Sequence, residues 1–139
     1  VVVCFHWGDE GKYYPNKTQI AIGYYAVDEG ADLVLGTHPH VIEGIDKYNG
    51  KYIVYSLGNF IFGGNRNPSD KDAFIFQQTF TFDETKSLIK SSNMNLIPIS
   101  ISSVKERNNF KPVILEGGEK DRVLKKIDDL SRSLYNKGF

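Results

Sequence analysis

The sequence predicts an α/β fold: a parallel strand–helix–strand unit, then antiparallel strands, then a C-terminal helix. Three observations predict it. A β-branched apolar run at 1–5 and a second short strand at 32–35 flank a segment with helical spacing. Asn49-Gly50 sits between two extended stretches, a strong two-residue hairpin signal. Val123, Ile127, Leu130 and Leu134 then repeat with the period of one helix face.

Each element follows in order. Val1-Val2-Val3-Cys4-Phe5 reads as a strand covered on both faces, with Cys4 a buried thiol. A chain opening inside a strand is expected to be part of a longer one, so the 139 residues are expected to form a single partial domain over 1–139. A polar loop runs from His6 to Tyr14, and Pro15 is placed at a first helical turn. Ile20, Tyr24 and Val27 mark the buried face of that helix, and Gly30 ends it in a left-handed conformation. Asp32-Leu33-Val34-Leu35 is the second strand, stopped by Gly36. Two strands joined this way run parallel through a right-handed crossover. His6 and the run Thr37-His38-Pro39-His40 therefore leave the same carboxyl edge, where α/β sheets place ligands.

Val41–Tyr48 and Lys51–Tyr55 form the hairpin around Asn49-Gly50. Ser56-Leu57-Gly58-Asn59 is a turn, and Phe60-Ile61-Phe62 resumes an extended run. Residues 63–71 form a loop by composition. From Phe74 to Phe82, four phenylalanines share one parity, as in one half-buried antiparallel strand. After a turn at 83–86, residues 87–103 hold one long or two short strands, with Pro98 pointing to an edge or a bulge. An amphipathic helix over about 118–135 closes the chain.

Composition excludes some functions. Lys plus Arg and Asp plus Glu balance at 17 each, so no basic field is available for a nucleic-acid backbone. No apolar run approaches the roughly 20 residues that span a bilayer. No phosphate-cradling loop, dinucleotide fingerprint or G-x-S-x-G elbow is present.

All three histidines, His6, His38 and His40, fall at the predicted edge. In extended chain His38 and His40 point to the same side, and Pro39 restricts His38 to extended conformations. Neutral imidazole suits Zn, Fe, Mn or Ni. On spacing alone, a metal centre and a set of structural histidines both stay open. Glu10 has three readings: ligand, partner orienting an imidazole, or solvated loop residue. Trp7 either walls the site and stacks on substrate or packs in the core. The Asn59 amide either serves its turn or meets a substrate oxygen.

The motifs H-W-G-D-E at 6–10, Pro15 and Gln19, E-G-A-D-L-V-L-G-T-H-P-H-V at 29–41 and Y-S-L-G-N-F at 55–60 resemble the CapA (PgsA-like) capsule synthesis proteins of the calcineurin-like metallophosphoesterase superfamily. The resemblance is dense over 1–62 and thins to pattern beyond. It implies a four-layer α/β/β/α sandwich around two divalent cations (Mn, Fe or Zn), of which this chain supplies the carboxyl-terminal half. It implies His6, His38 and His40 as metal ligands and Glu10 beside them in a catalytic set. Trp7 and Asn59 are the substrate-facing candidates.

By the same resemblance, the superfamily's bridging aspartate and asparagine–histidine pair match nothing here, so the isolated fragment is expected to be inactive. The implied function is capsule or poly-γ-glutamate biosynthesis, by metal-dependent hydrolysis of the phosphoesterase kind. The alternative is a non-enzymatic surface component that binds or guides poly-γ-glutamate. Implied partners are that polymer or another anionic molecule, other capsule-synthesis membrane proteins, and a second copy of the chain. The implied location is the extracellular face of the bacterial membrane. An H-x-H amidohydrolase barrel fits poorly, since that fold takes about 250 residues and eight repeated units.

Overall fold

A computed structural model describes residues 1–136; the helix expected near the chain end lies within them, and the last three residues of the expected domain lie outside. The fold is mixed α/β. Strand β1 (Val2–His6), helix α1 (Lys17–Asp28) and strand β2 (Leu33–Thr37) form the expected unit. β1 and β2 are parallel neighbours, and His6 lies in register with Thr37. β2 also pairs in parallel with β4 (Lys51–Val54), and β3 (Ile45–Tyr48) lies antiparallel outside it, giving the order β1-β2-β4-β3. Asn49 and Gly50 both adopt positive φ, as the hairpin turn requires.

Local chemistry fixes the ends of α1. The Asn16 side chain accepts from the Gln19 N–H, and the Gln19 side chain accepts from the Asn16 N–H, a reciprocal cap. Pro15 therefore precedes the cap rather than opening the first turn. At the other end, Gly30 (φ +100) donates to the Val27 carbonyl, and Ala31 donates to Ala26. These two bonds satisfy carbonyls the helix leaves free.

Three expectations about this sheet change. Strand β1 is at the sheet edge, with Val2, Cys4 and His6 exposed and Val3 and Phe5 half-buried. Cys4 is thus an exposed thiol, because nothing among the described residues covers that face of β1. Gly36 does not stop β2 but lies inside it. A Cβ there would fall 2.0 Å from the Tyr55 carbonyl oxygen and 2.3 Å from the Trp7 indole nitrogen. The missing side chain lets the Trp7 N–H cross β2 and donate to Tyr55 at 2.8 Å.

The second half builds β5 (Asp72–Gln77), β6 (Phe80–Phe82), β7 (Leu88–Ser91), β8 (Asn95–Ser100), β9 (Val113–Ile114) and α2 (Gly117–Asn136). The single strand expected from Phe74 to Phe82 is two strands in different sheets: β5 joins the sheet β5-β8-β9, and β6 pairs with β7. The break falls at Gln78-Thr79, where Ser92 takes over the bonding. Its hydroxyl accepts from the Thr79 N–H at 2.9 Å, and its carbonyl accepts from Gln78 at 3.1 Å.

Phe60-Ile61-Phe62 forms no strand, and Phe60 and Ile61 are exposed. Pro98 is central rather than peripheral, because β8 has a neighbour on each side. It pairs opposite Phe74, whose own N–H turns away to the Leu57 carbonyl. The proline nitrogen therefore faces the β9 side, where that short strand pairs only with Ile99 and Ser100.

Two cores sandwich the first sheet. α1 covers one face through Ile20, Val27, Val34, Ile53 and Tyr55. The other face meets β5 and α2 through Leu33, Val54, Phe74, Val123 and Ile127. Arg122 of α2 donates two bonds to Asp72 of β5 (2.7 and 2.8 Å), and Lys126 bridges Asp70 and Asp72. Burial acts to raise the Asp72 carboxyl, but Arg122 and Lys126 outweigh it and hold that group below its ordinary range.

Candidate metal centre

The carboxyl edge of β1 and β2 gathers the histidines. The His6 and His38 rings lie 4.5 Å apart between centroids, and His38 and His40 lie 5.8 Å apart. Glu10, His38 and His40 form one set of ligand atoms, all within 4.8 Å of one another. Glu10 thus takes the third place in that set, and His6 flanks it beside His38. The loop bearing Glu10 is tied to the histidine turn by a Gly11 N–H to Pro39 carbonyl bond of 2.8 Å.

The convergence does not come from extended backbone, as the spacing suggested. His38 has φ +103 and His40 φ +61. Such conformations cost non-glycine residues about 1–3 kcal/mol each, and they persist where the surroundings over-determine them. Buried Pro39, with its carbonyl engaged by Gly11, anchors the middle of the turn.

Asn59 holds His40 from two sides. Its amide nitrogen donates to the His40 carbonyl at 3.1 Å, and its oxygen lies 2.8 Å from His40 Nδ1. A backbone carbonyl can only accept, so the amide orientation follows from that contact. The oxygen then accepts from Nδ1–H, and Nε2 keeps its lone pair for a cation. Asn59 is nearly buried, and its role here is to orient an imidazole. It sits next to Gly58, at φ +76, where a Cβ would meet the Asp72 carbonyl oxygen at 2.9 Å.

Trp7 is not brought to the cluster. Alternation along β1 sends His6 to one face and Trp7 to the other. The indole stacks on Phe5 at 4.6 Å and packs in the α1 core. The structure gives it to packing instead of substrate. Phe62 takes the aromatic place beside the site, its ring 4.7 Å from that of His40. Glu10, His40, Asn59, Phe62, Asn65 and Ser69 line part of a cleft of about 320 Å³.

The donor set suits a divalent cation. Two imidazoles and a carboxylate are the ligand types of open catalytic sites. Bonds of about 2.1 Å place tetrahedral ligands roughly 3.4 Å apart, so modest side-chain rotation closes the observed spacing.

Residues 1–64 match the family model described as Bacterial capsule synthesis protein PGA_cap. Over these residues, just under half of the chain, the sequence is similar to that family. The PGA_cap region contains every residue of the cluster. The chain is similar to the PGA biosynthesis protein CapA of Bacillus subtilis (strain 168), 52% identical over 62 residues, covering 45% of this chain and 16% of that protein. It is similar to the capsule biosynthesis protein CapA of Bacillus anthracis, 31% identical over 132 residues, covering 93% of this chain and 32% of the relative. It also resembles a probable polyglutamine synthesis accessory protein of Mycobacterium tuberculosis, 32% identical over 60 residues, covering 43% of this chain and 16% of that protein. The chain therefore spans between 16% and 32% of the length of these relatives.

Two residues of the region carry more than their sequence positions suggested. Glu10 enters the ligand set, for which W-G-x-E beside a histidine was the available signal. Glu43 is fully buried. Its signal was weak: a carboxylate set between Ile42 and Gly44 in an apolar run.

Proposed function

We propose that this chain supplies the histidine-bearing part of a CapA-type capsule synthesis domain that acts as a metal-dependent hydrolase in poly-γ-glutamate biosynthesis. The observation that carries the reading is the ligand set itself: Glu10, His38 and His40 within reach of one ion, with His40 fixed by Asn59. The names of the Bacillus relatives supply the biosynthetic context. The fold proposed for the whole domain is the four-layer metallophosphoesterase sandwich. The two faces of the first sheet, one under α1 and one toward β5, are consistent with it.

A divalent cation supplies Lewis acidity and an activated water to such a site. The chain's own residues do the rest. His38, His40 and Glu10 hold the ion, and His6 completes the set from β1, next to His38. Asn59 keeps His40 in the tautomer that leaves Nε2 free. Phe62 and the polar wall of Asn65 and Ser69 shape the cleft that receives the substrate. Two ions, an anionic polymer substrate and a position at the outer face of the bacterial membrane complete the proposal. No helix among the described residues is long and apolar enough to cross a membrane.

Calorimetric titration of the intact protein with Mn²⁺ or Zn²⁺ tests the site. Saturable binding is expected, and His38→Ala abolishes it while the circular dichroism spectrum is unchanged. Equal affinity in the variant removes the assignment. A second reading takes the word "accessory" in the name of the mycobacterial relative at face value: the domain binds poly-γ-glutamate without cleaving it. Metal-dependent polymer binding with no hydrolysis product would favour that reading.

A further inference from the structure

Between the turn that carries Glu10 and the turn that carries His38 and His40 lies a buried polar joint. Gln19 and Glu43 are 1% and 0% exposed. The Gln19 carboxamide accepts from the Asn16 N–H at 2.9 Å and donates to Glu43 Oε2 at 2.8 Å. Gly8, at φ +85, presses on the same carboxamide: a Cβ there would lie 2.7 Å from Gln19 Nε2. Glu43 is held in turn through its own N–H, which donates to the Ser56 carbonyl at 3.2 Å. Its second oxygen, Oε1, is buried and has no hydrogen-bond partner among the described residues. Gly8 precedes Glu10 by two residues, and Glu43 follows His40 by three. The pair is thus a second, side-chain tie between the two turns, beside the Gly11 N–H to Pro39 carbonyl bond.

We propose that Glu43 is a positioning residue, which through Gln19 holds the Glu10-bearing turn against the His38–His40 turn. The inference rests on the metal reading above. The joint is built for a neutral acid. A carboxylate would leave a buried anion with one lone oxygen and no cation beside it among the described residues. From the loop after β1 it faces the Asp9 carboxylate, and from the end of β4 the Tyr55 phenol. α1 presents only the uncharged Gln19, and α2 approaches next door at Gly44 with the backbone of Leu130 and Ser131. Burial above all, then the Asp9 charge, pushes the Glu43 carboxyl up to about 7 against the pull of the Gln19 bond. Ionisation sets two carboxylates against each other across the joint and loosens the turn that carries Glu10.

The test measures Mn²⁺ affinity of the intact wild type, Glu43→Gln and Glu43→Ala at pH 6.5 and 8.5, with folding followed by circular dichroism. Glu43→Ala is expected to bind at least tenfold more weakly. Glu43→Gln, which keeps an acceptor for Gln19 and cannot ionise, is expected within twofold of wild type at pH 6.5 and several-fold tighter at pH 8.5. A purely structural role would not make that ratio depend on pH. A ratio that stays constant between the two pH values, or an alanine variant that binds like wild type, overturns the proposal. If the alanine variant does not fold, the glutamine comparison decides alone. Binding that His38→Ala abolishes but Glu43 variants leave untouched sinks only the positioning role; wild type without any affinity sinks both readings.

Discussion

The first 64 residues and the rest of the chain solve different problems. The first part carries all the metal-ligand candidates, and it puts them on backbone that is locally unfavourable: two histidines at positive φ, a glycine where an indole crosses a strand, and a buried acid with a lone oxygen. The second part carries ordinary antiparallel pairing and an amphipathic helix. Its charges are matched, as Asp70 and Asp72 are by Arg122 and Lys126. Misfit occurs in the second part too, at Lys86 and Phe110 with positive φ and at the buried Gln78 Oε1, but in the first part it clusters around the candidate ligands, the pattern expected where local strain serves a site.

The sharpest way to break this contrast is Gly36→Ala. The new methyl group meets backbone at Tyr55 and the Trp7 indole, so neither can yield cheaply. A loss of more than about 4 kcal/mol, or failure to fold, is expected in denaturant unfolding, far beyond ordinary overpacking. A fold that tolerates alanine there would remove the case for tight design in the first region.

Next is the pH response of Glu43. Its folded pKa is raised from 4.5 to about 7, so the folded state holds the proton longer than the unfolded chain. Stability linked to this group is full below about pH 4.5 and is lost as pH rises through 7, by roughly 3 kcal/mol in total. Glu43→Gln removes that loss, and chemical denaturation at pH 5 and pH 8 should show the variant gaining on wild type only at the higher pH.

The second region responds with the opposite sign. Asp72 is held below its ordinary pKa, so its contribution is present above about pH 4 and is lost on acidification through the folded value. Asp72→Asn should cost about 2 kcal/mol at pH 7 and flatten the acid limb of the stability curve. Mn²⁺ affinity should be unchanged. A large fall in affinity would merge the two regions that the contrast separates.

The smallest expected effect on stability belongs to Asn59→Ala, about 1 kcal/mol, because only the two bonds to His40 are lost. Its effect on the ion should be larger, a 10–100-fold weakening, as for other groups that orient a ligand. Calorimetry and thermal unfolding on the same sample would separate the two.

The contrast also explains what the sequence made legible. The parallel pairing of the runs at 1–5 and 32–35, the Asn49-Gly50 turn and the spacing of Val123, Ile127 and Leu130 appear as expected. That His6, His38 and His40 leave one edge of the sheet followed from strand direction. Properties set by distant neighbours were hidden. Cys4 looks buried until its strand proves to be an edge. Phe74 to Phe82 reads as one strand because periodicity cannot see Ser92 take over at the break. Trp7 beside His6 looks site-facing until alternation sends it to the α1 side. Glu43 carries a charge, and charged residues are expected outside. The positive φ of His38 and His40 has no local signal, since neither is glycine or asparagine.

That histidine turn has a consequence for any attempt to improve the protein. Replacing His38 or His40 by glycine would relax the main chain there, so variants selected only for heat resistance should drift toward losing these two side chains. Selection for robustness and selection for ion capture pull this turn in opposite directions. A library sorted on both at once should retain its imidazoles and place its stabilising changes elsewhere.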